Sequence, residues 1–215
     1  MYNAVIFDLD GTLLNTLTDL KEAVNHALRQ FSFPERTTDE IRSFIGNGVV
    51  KLMERSTPQG TDSKTQQECL DCFREYYLKH MSDNTAPYRG IKELLVSLKE
   101  KGVKTAVVSN KLHPAVEGLC DDFFTGLIDK AIGVSEETER KPSPVNVFKA
   151  IKHLHTSEND TIYVGDSEVD VMTAHNAGLK CIGVTWGFRD KNELTEKGCE
   201  FIADTTVEVL KIVTE

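Results

Sequence analysis

The chain has 215 residues, 40% apolar and 27% charged, which suits one large globular domain or one domain carrying an insertion. Its 25 basic residues against 34 acidic ones leave a net charge of −9; this excludes nucleic-acid binding through bulk electrostatics and requires an anionic substrate to be met by a local cation or a few placed lysines. No apolar run is long enough to span a bilayer, and the N-terminus lacks the basic and apolar segments of a signal peptide, so a cytoplasmic protein with no membrane partner is expected.

Residues 4–7 (Ala-Val-Ile-Phe) are continuously apolar and β-prone, the pattern of a strand buried on both faces. That strand ends in Asp8 and Asp10, followed by Gly11 and Thr12. Two acids one residue apart at a buried strand end are costly without a cation. Residues 16–31 carry Leu17, Leu20, Val24, Ala27, Leu28 and Phe31 at helical spacing. Pro34 stops this helix, and Thr37 or Thr38 can cap the next. The pattern then stays helical to about residue 82, interrupted at Gly46-Asn47-Gly48 and Pro58-Gln59-Gly60. Cys69 and Cys72 form a CxxC inside this helical stretch and read as helix-face thiols; with Cys120, Cys181 and Cys199 the count is odd, which suits reduced cysteines.

After the turn-rich return at 86–90 the rhythm changes to alternating elements: helix 91–101, strand 104–108, helix 113–121, strand 131–134, helix 144–154, strand 161–164, helix 168–177, strand 181–184, a short strand at 202–203 and a closing helix. Such alternation implies a parallel sheet covered on both faces. The expected fold is therefore α/β, a Rossmann-like parallel sheet with helices on both faces and an inserted all-helical cap. The expected core comprises residues 1–14 and 86–215, and the expected cap residues 15–85.

Three further segments carry polar chemistry. Strand 104–108 runs into Ser109-Asn110-Lys111, where a hydroxyl and a backbone amide can donate to phosphoryl oxygens. Lys141, before a helix, can balance charge on a phosphate. Strand 161–164 ends in Gly165-Asp166-Ser167-Glu168-Val169-Asp170, with Asp166 and Asp170 four apart. Four carboxylates in one crevice need a divalent cation with hard oxygen ligands, and Mg²⁺ is the economical choice.

In this order and spacing, DxDGT, the serine after the second strand, Lys-Pro and GDxxxD resemble the haloacid dehalogenase-like hydrolases over the whole chain. The helical insertion is similar to that family's type 1 cap. IRSFIGNGVVKLM, the Pro-Tyr-Arg-Gly return and VTWGFRD look most like phosphoglycolate phosphatases. The resemblance implies a phosphatase for a small phosphorylated metabolite. Asp8 would be the nucleophile that forms an aspartyl-phosphate, and Asp10 the general acid and base. Mg²⁺ would be held by Asp8, the carbonyl of Asp10 and Asp166, with Asp170 a direct or outer ligand. Ser109, the Asn110 amide and Lys141 would bind the phosphoryl group. Arg42, Gly46, Asn47 and Gly48 are the candidate cap contacts, where Arg42 could meet a carboxylate. Pyrophosphatase, nucleotidase and sugar-phosphate mutase belong to the same superfamily, and an idle phospho-ligand binder is the non-enzymatic alternative. Leu20 stands near the position where mutases carry a histidine, and Asn15-Thr16 replaces the frequent Asp-Ser at the hinge. A monomer or a weak homodimer is expected.

Overall fold

The computed structural model describes residues 1–135 and 139–215. The apolar run Ala4–Phe7 forms β1, buried at every position. The chain then passes through β2 (Leu14–Asn15) into four helices: α1 (Leu17–Gln30), α2 (Thr38–Phe44), α3 (Gly48–Ser56) and α4 (Ser63–His80). It returns through β3 (Ala86–Pro87), which pairs with β2. The remainder alternates: α5 (Ile91–Glu100), β4 (Lys104–Leu112), α6 (His113–Phe124), β5 (Lys130–Val134), α7 (Val145–Leu154), β6 (Thr161–Gly165), α8 (Glu168–Asn176), β7 (Lys180–Val184), α9 (Lys191–Glu196), β8 (Phe201–Ala203) and α10 (Thr206–Thr214).

Two compact units result, residues 1–15 with 87–215, and residues 16–86. The first contains a parallel six-stranded sheet in the order β5-β4-β1-β6-β7-β8. β1 lies between β4 and β6, in register with both from Ala4 to Phe7. Strand order reverses about β1, so the C-terminal ends of β1, β4 and β6 surround a switch point, where open α/β sheets bind ligands. One face is sealed by Val147, Ala150, Ile151 and Leu154 of α7 and Val171 and Ala174 of α8, packed on Ile6, Ala106, Val108 and Tyr163.

In the second unit, α1 buries Leu17, Leu20, Ala23, Val24, Ala27 and Leu28, and α4 buries Cys69, Leu70, Phe73 and Tyr77. Thr37 caps α2 through a reciprocal box with Glu40. Asp19, buried in the first turn of α1, accepts hydrogen bonds from the Asn84 amide and side chain and from the Thr85 amide and hydroxyl, fastening the return segment to the helix. Cys69 and Cys72 are free thiols, and burial pushes Cys69 up to about 11. Among the described residues no helix is long and apolar enough to cross a membrane.

The structure adds α9, which is six residues long and closed by an Asp190–Glu193 capping box. It also carries β4 beyond Val108 to Leu112. Val108 pairs with Ile132 and Leu112 with Val134, so two extra residues of β4 bulge between them.

Candidate active site

β1 delivers Asp8 to the switch point, its amide donating to Val164 O at 2.9 Å. The chain then reverses tightly, with the amides of Thr12, Leu13 and Leu14 all reaching Leu9 O. Gly11 in this turn has φ +89°, and a Cβ there would collide with the Asp166 carboxylate. Gly187, in the loop after β7, would collide with the same side chain. Asp166 is thus clasped between two backbones, and donors fix its orientation. Thr12 Oγ1 donates to Oδ1 at 3.0 Å and the Phe188 amide to Oδ2 at 2.8 Å. Trp186 Nε1 donates to Thr12 O at 3.0 Å and ties the two loops together.

Asp8, Asp166 and Asp170 are all buried, and each offers a carboxylate oxygen within 4.8 Å of the others. The cation paired with them among the described residues is Lys141, whose Nζ lies 2.8 Å from Asp8 Oδ1 and 2.7 Å from Asp170 Oδ1. Asp170 is fully engaged. Its Oδ2 accepts from the Ser167 amide at 3.1 Å and hydroxyl at 2.7 Å; Lys141 and the Tyr163 hydroxyl, at 3.2 Å, take Oδ1. Asp8 Oδ1 is the opposite case, buried near Lys141 yet without a well-directed hydrogen bond.

Three ionised carboxylates against one ammonium would leave a formal charge of −2 in a buried site. Protonation responds to that excess. Burial pushes Asp8 up to about 7, helped by Asp170 and Asp10 and opposed by Lys141. Burial, then Asp170 and Asp8, hold Asp166 well above the usual carboxylate range despite the Phe188 and Thr12 hydrogen bonds. Burial alone would lower Lys141, but Asp170 and Asp8 outweigh it and keep the ammonium charged. A hard divalent cation fits this donor set: carboxylate oxygens only, an Asp8 Oδ1 whose close Lys141 partner makes no well-directed hydrogen bond, and a deficit of two charges.

The β4 bulge supplies the rest. Ser109 is buried, and its Oγ accepts from the Lys111 amide at 3.3 Å. The Asn110 side chain clamps the backbone of Lys141 from both sides: Oδ1 accepts from Lys141 N at 2.7 Å, and Nδ2 donates to Lys141 O at 3.2 Å. Lys111 turns toward β1, with Nζ 2.7 Å from Asp10 Oδ1.

Asp8, Asp10, Ser109, Asn110, Lys141, Asp166 and Asp170 therefore all lie in the sheet unit, at or just beyond the C-terminal parts of strands, in the loop before α7 and in the first turn of α8. Arg42, Gly46, Asn47 and Gly48 lie in the helical unit: Arg42 is exposed in the last turn of α2, Gly46 and Asn47 join α2 to α3, and Gly48 opens α3, with positive φ at Gly46 and Gly48. Sequence reasoning passed over Lys111, Tyr163, the Thr12 hydroxyl and the Phe188 amide. The threonine of DGT was the one readable signal among them.

The family model of the haloacid dehalogenase-like hydrolases matches residues 5–184, which include every acid-bearing strand end. A phosphoglycolate phosphatase of Aquifex aeolicus (strain VF5) is 34% identical over 185 residues, 86% of this chain and 85% of that protein. One from Mannheimia succiniciproducens is 31% identical over 221 residues, covering 99% of this chain and 98% of its own. A crystal structure from Lactobacillus delbrueckii subsp. bulgaricus, of a protein assigned by inference as a phosphoglycolate phosphatase, superposes with a TM-score of 0.94 at 34% identity, covering 99% of this chain and 98% of that one. With the match running through both aspartate motifs, and relatives of such coverage, the chain belongs to the haloacid dehalogenase-like hydrolase family.

Proposed function

We propose that this hydrolase is a Mg²⁺-dependent phosphatase that cleaves a small phosphate monoester through an aspartyl-phosphate on Asp8, with phosphoglycolate the first candidate substrate. The observation that carries the reading is the buried Asp8, Asp166 and Asp170 cluster, short of two positive charges, next to a separately paired Asp10. When bound by Asp8, Asp166 and the Asp10 carbonyl, Mg²⁺ would supply the charge that lets a carboxylate approach a phosphate dianion. Asp170, with both oxygens occupied, acts by holding Lys141.

An Asp8 oxygen gives an electron pair to phosphorus as the bond from phosphorus to the ester oxygen breaks. Asp10 enters the step protonated on the oxygen that Lys111 does not hold, and passes that proton to the departing oxygen. Water then attacks phosphorus, Asp10 takes up the water proton, and the bond to Asp8 breaks to release phosphate. Ser109, the Asn110 amide and Lys141 hold the phosphoryl oxygens and offset the charge spread over them. The helical unit is read as a cap in which Arg42 and Gly46-Asn47-Gly48 meet the organic part of the substrate. Leu20, near the position where a mutase would need a second acid–base group, is a buried leucine. A cytoplasmic monomer or weak homodimer completes the proposal.

Phosphate release from phosphoglycolate, a nucleoside monophosphate, a sugar phosphate and pyrophosphate, with and without Mg²⁺, tests the reading. Metal-dependent turnover that vanishes in Asp8→Asn is expected, and the highest kcat/KM names the leaving group. Turnover that survives Asp8→Asn, or that needs no metal, overturns it.

A further inference from the structure

Lys111 is a buried lysine outside the acid cluster, its side chain 3% exposed. An ammonium is kept from water only against a compensating partner. Asp10 provides one, at 2.7 Å, and is itself the more open of the pair, at 16%. The backbone is shaped for this placement. The bulge between Val108 and Leu112 re-aims the side chains of β4, and Gly133 on β5 leaves room for it, because a Cβ there would sit 2.7 Å from Lys111 O and 2.6 Å from His113 Cα.

The two buried lysines divide the site. Lys141 contacts Asp8 and Asp170, on the side where the phosphoryl group is bound. Lys111 contacts Asp10, the residue that meets the departing oxygen. A leaving group whose oxygen meets Asp10 would sit beside the Lys111 ammonium, 2.7 Å from Asp10 Oδ1. An ammonium has three rotatable donors, so it can keep Asp10 and also take an anionic oxygen of the leaving group. A carboxylate on the very carbon that bears the ester oxygen meets this requirement, since only one carbon separates it from the atom Asp10 protonates. A neutral alcohol leaves the ammonium without that gain.

We infer that Lys111 is a specificity-determining residue that selects phosphate esters of short 2-hydroxy acids by pairing with the carboxylate of the leaving group. The inference rests on the phosphatase reading above and adds the residue that recognises the leaving group.

The test compares 2-phosphoglycolate with its uncharged counterpart 2-hydroxyethyl phosphate, as kcat/KM with saturating Mg²⁺, for wild type, Lys111→Met and Lys111→Arg. Wild type prefers the acid. Lys111→Met lowers that preference by about 10- to 100-fold, the worth of one charge-assisted hydrogen bond. Lys111→Arg keeps most of it. Should the methionine variant fail to fold, Lys111→Gln takes its place, with a donor for Asp10 but no charge. An equal loss on both esters makes Lys111 only a positioning residue for Asp10 and overturns the inference, as does an unchanged ratio. No turnover of either ester by folded wild type removes the phosphatase reading itself.

Discussion

Replacing Asp8 by asparagine is expected to abolish turnover and at the same time stabilise the metal-free protein at pH 8. The residue is 7% exposed, and its acid is pushed from 3.8 up to about 7, chiefly by burial and then by Asp170 and Asp10 against the pull of Lys141. A folded-state value above the unfolded one means that the native protein holds this proton more tightly. Stability therefore falls as pH rises from about 4 to about 7, and the full penalty is present above that window. The rise from 3.8 to about 7 sets an upper limit of roughly 4 kcal/mol at pH 8. Asparagine mimics the protonated form but deprives Lys141 of a charged partner, so a gain of about 1–3 kcal/mol is expected. Urea unfolding with a chelator present, at pH 8 and pH 5, measures it. At pH 5 the gain should shrink, because wild-type Asp8 is then protonated in the native state. Mg²⁺ should raise the midpoint of wild type at pH 8 and raise that of Asp8→Asn much less. An Asp8→Asn protein less stable than wild type at pH 8, or a gain independent of pH, would refute the electrostatic account of this cluster.

Asn110→Ala removes both hydrogen bonds from the Lys141 backbone and should cost about 1–2 kcal/mol in urea unfolding and about tenfold in kcat; Asn110→Asp, which keeps the acceptor, should fall between. Gly187→Ala drives a methyl into Asp166, so Mg²⁺ affinity measured by calorimetry should fall by about tenfold or more, with the sheet still folded. Asp170→Asn should reduce kcat by way of Lys141 while changing Mg²⁺ affinity less than Asp166→Asn does; equal losses of affinity would make Asp170 a direct ligand.

The sheet was readable because its signals are local. Ala4–Phe7 is an unbroken apolar run bounded by acids, and each later strand is short, apolar and followed by a helix. Period and composition also separated the helical block from the alternating region. What escaped depends on partners distant in sequence. β2 and β3 are two residues each and exist because they pair with one another, although Asn15 and Ala86 are 71 positions apart, leaving no periodicity to detect. The β4 bulge is a mismatch with β5, so the strand reads as ended at Val108, and Lys111 passes for a helix-start residue. The clamp by Asn110 needs Lys141, 31 residues away, and its serine-asparagine pair looks like an ordinary cap.

The same distinction governs the aspartates. In the sequence, Asp166 and Asp170 are two equal members of GDxxxD, and spacing alone gives no reason to treat them differently. Their roles separate once lone pairs are assigned. Each oxygen of Asp166 receives one donor, from Thr12 or from Phe188, which orients the carboxylate and leaves an electron pair on each oxygen for a ligand. Each oxygen of Asp170 receives two, from Ser167 on one side and from Lys141 and Tyr163 on the other. A carboxylate so occupied can bind a cation only by giving up a donor, and the donor at stake is Lys141, the ammonium that the proposed reaction also assigns to the phosphoryl group. Residue types at strand ends thus show that an anionic site exists, while the donors brought in from other strands decide what each acid does there.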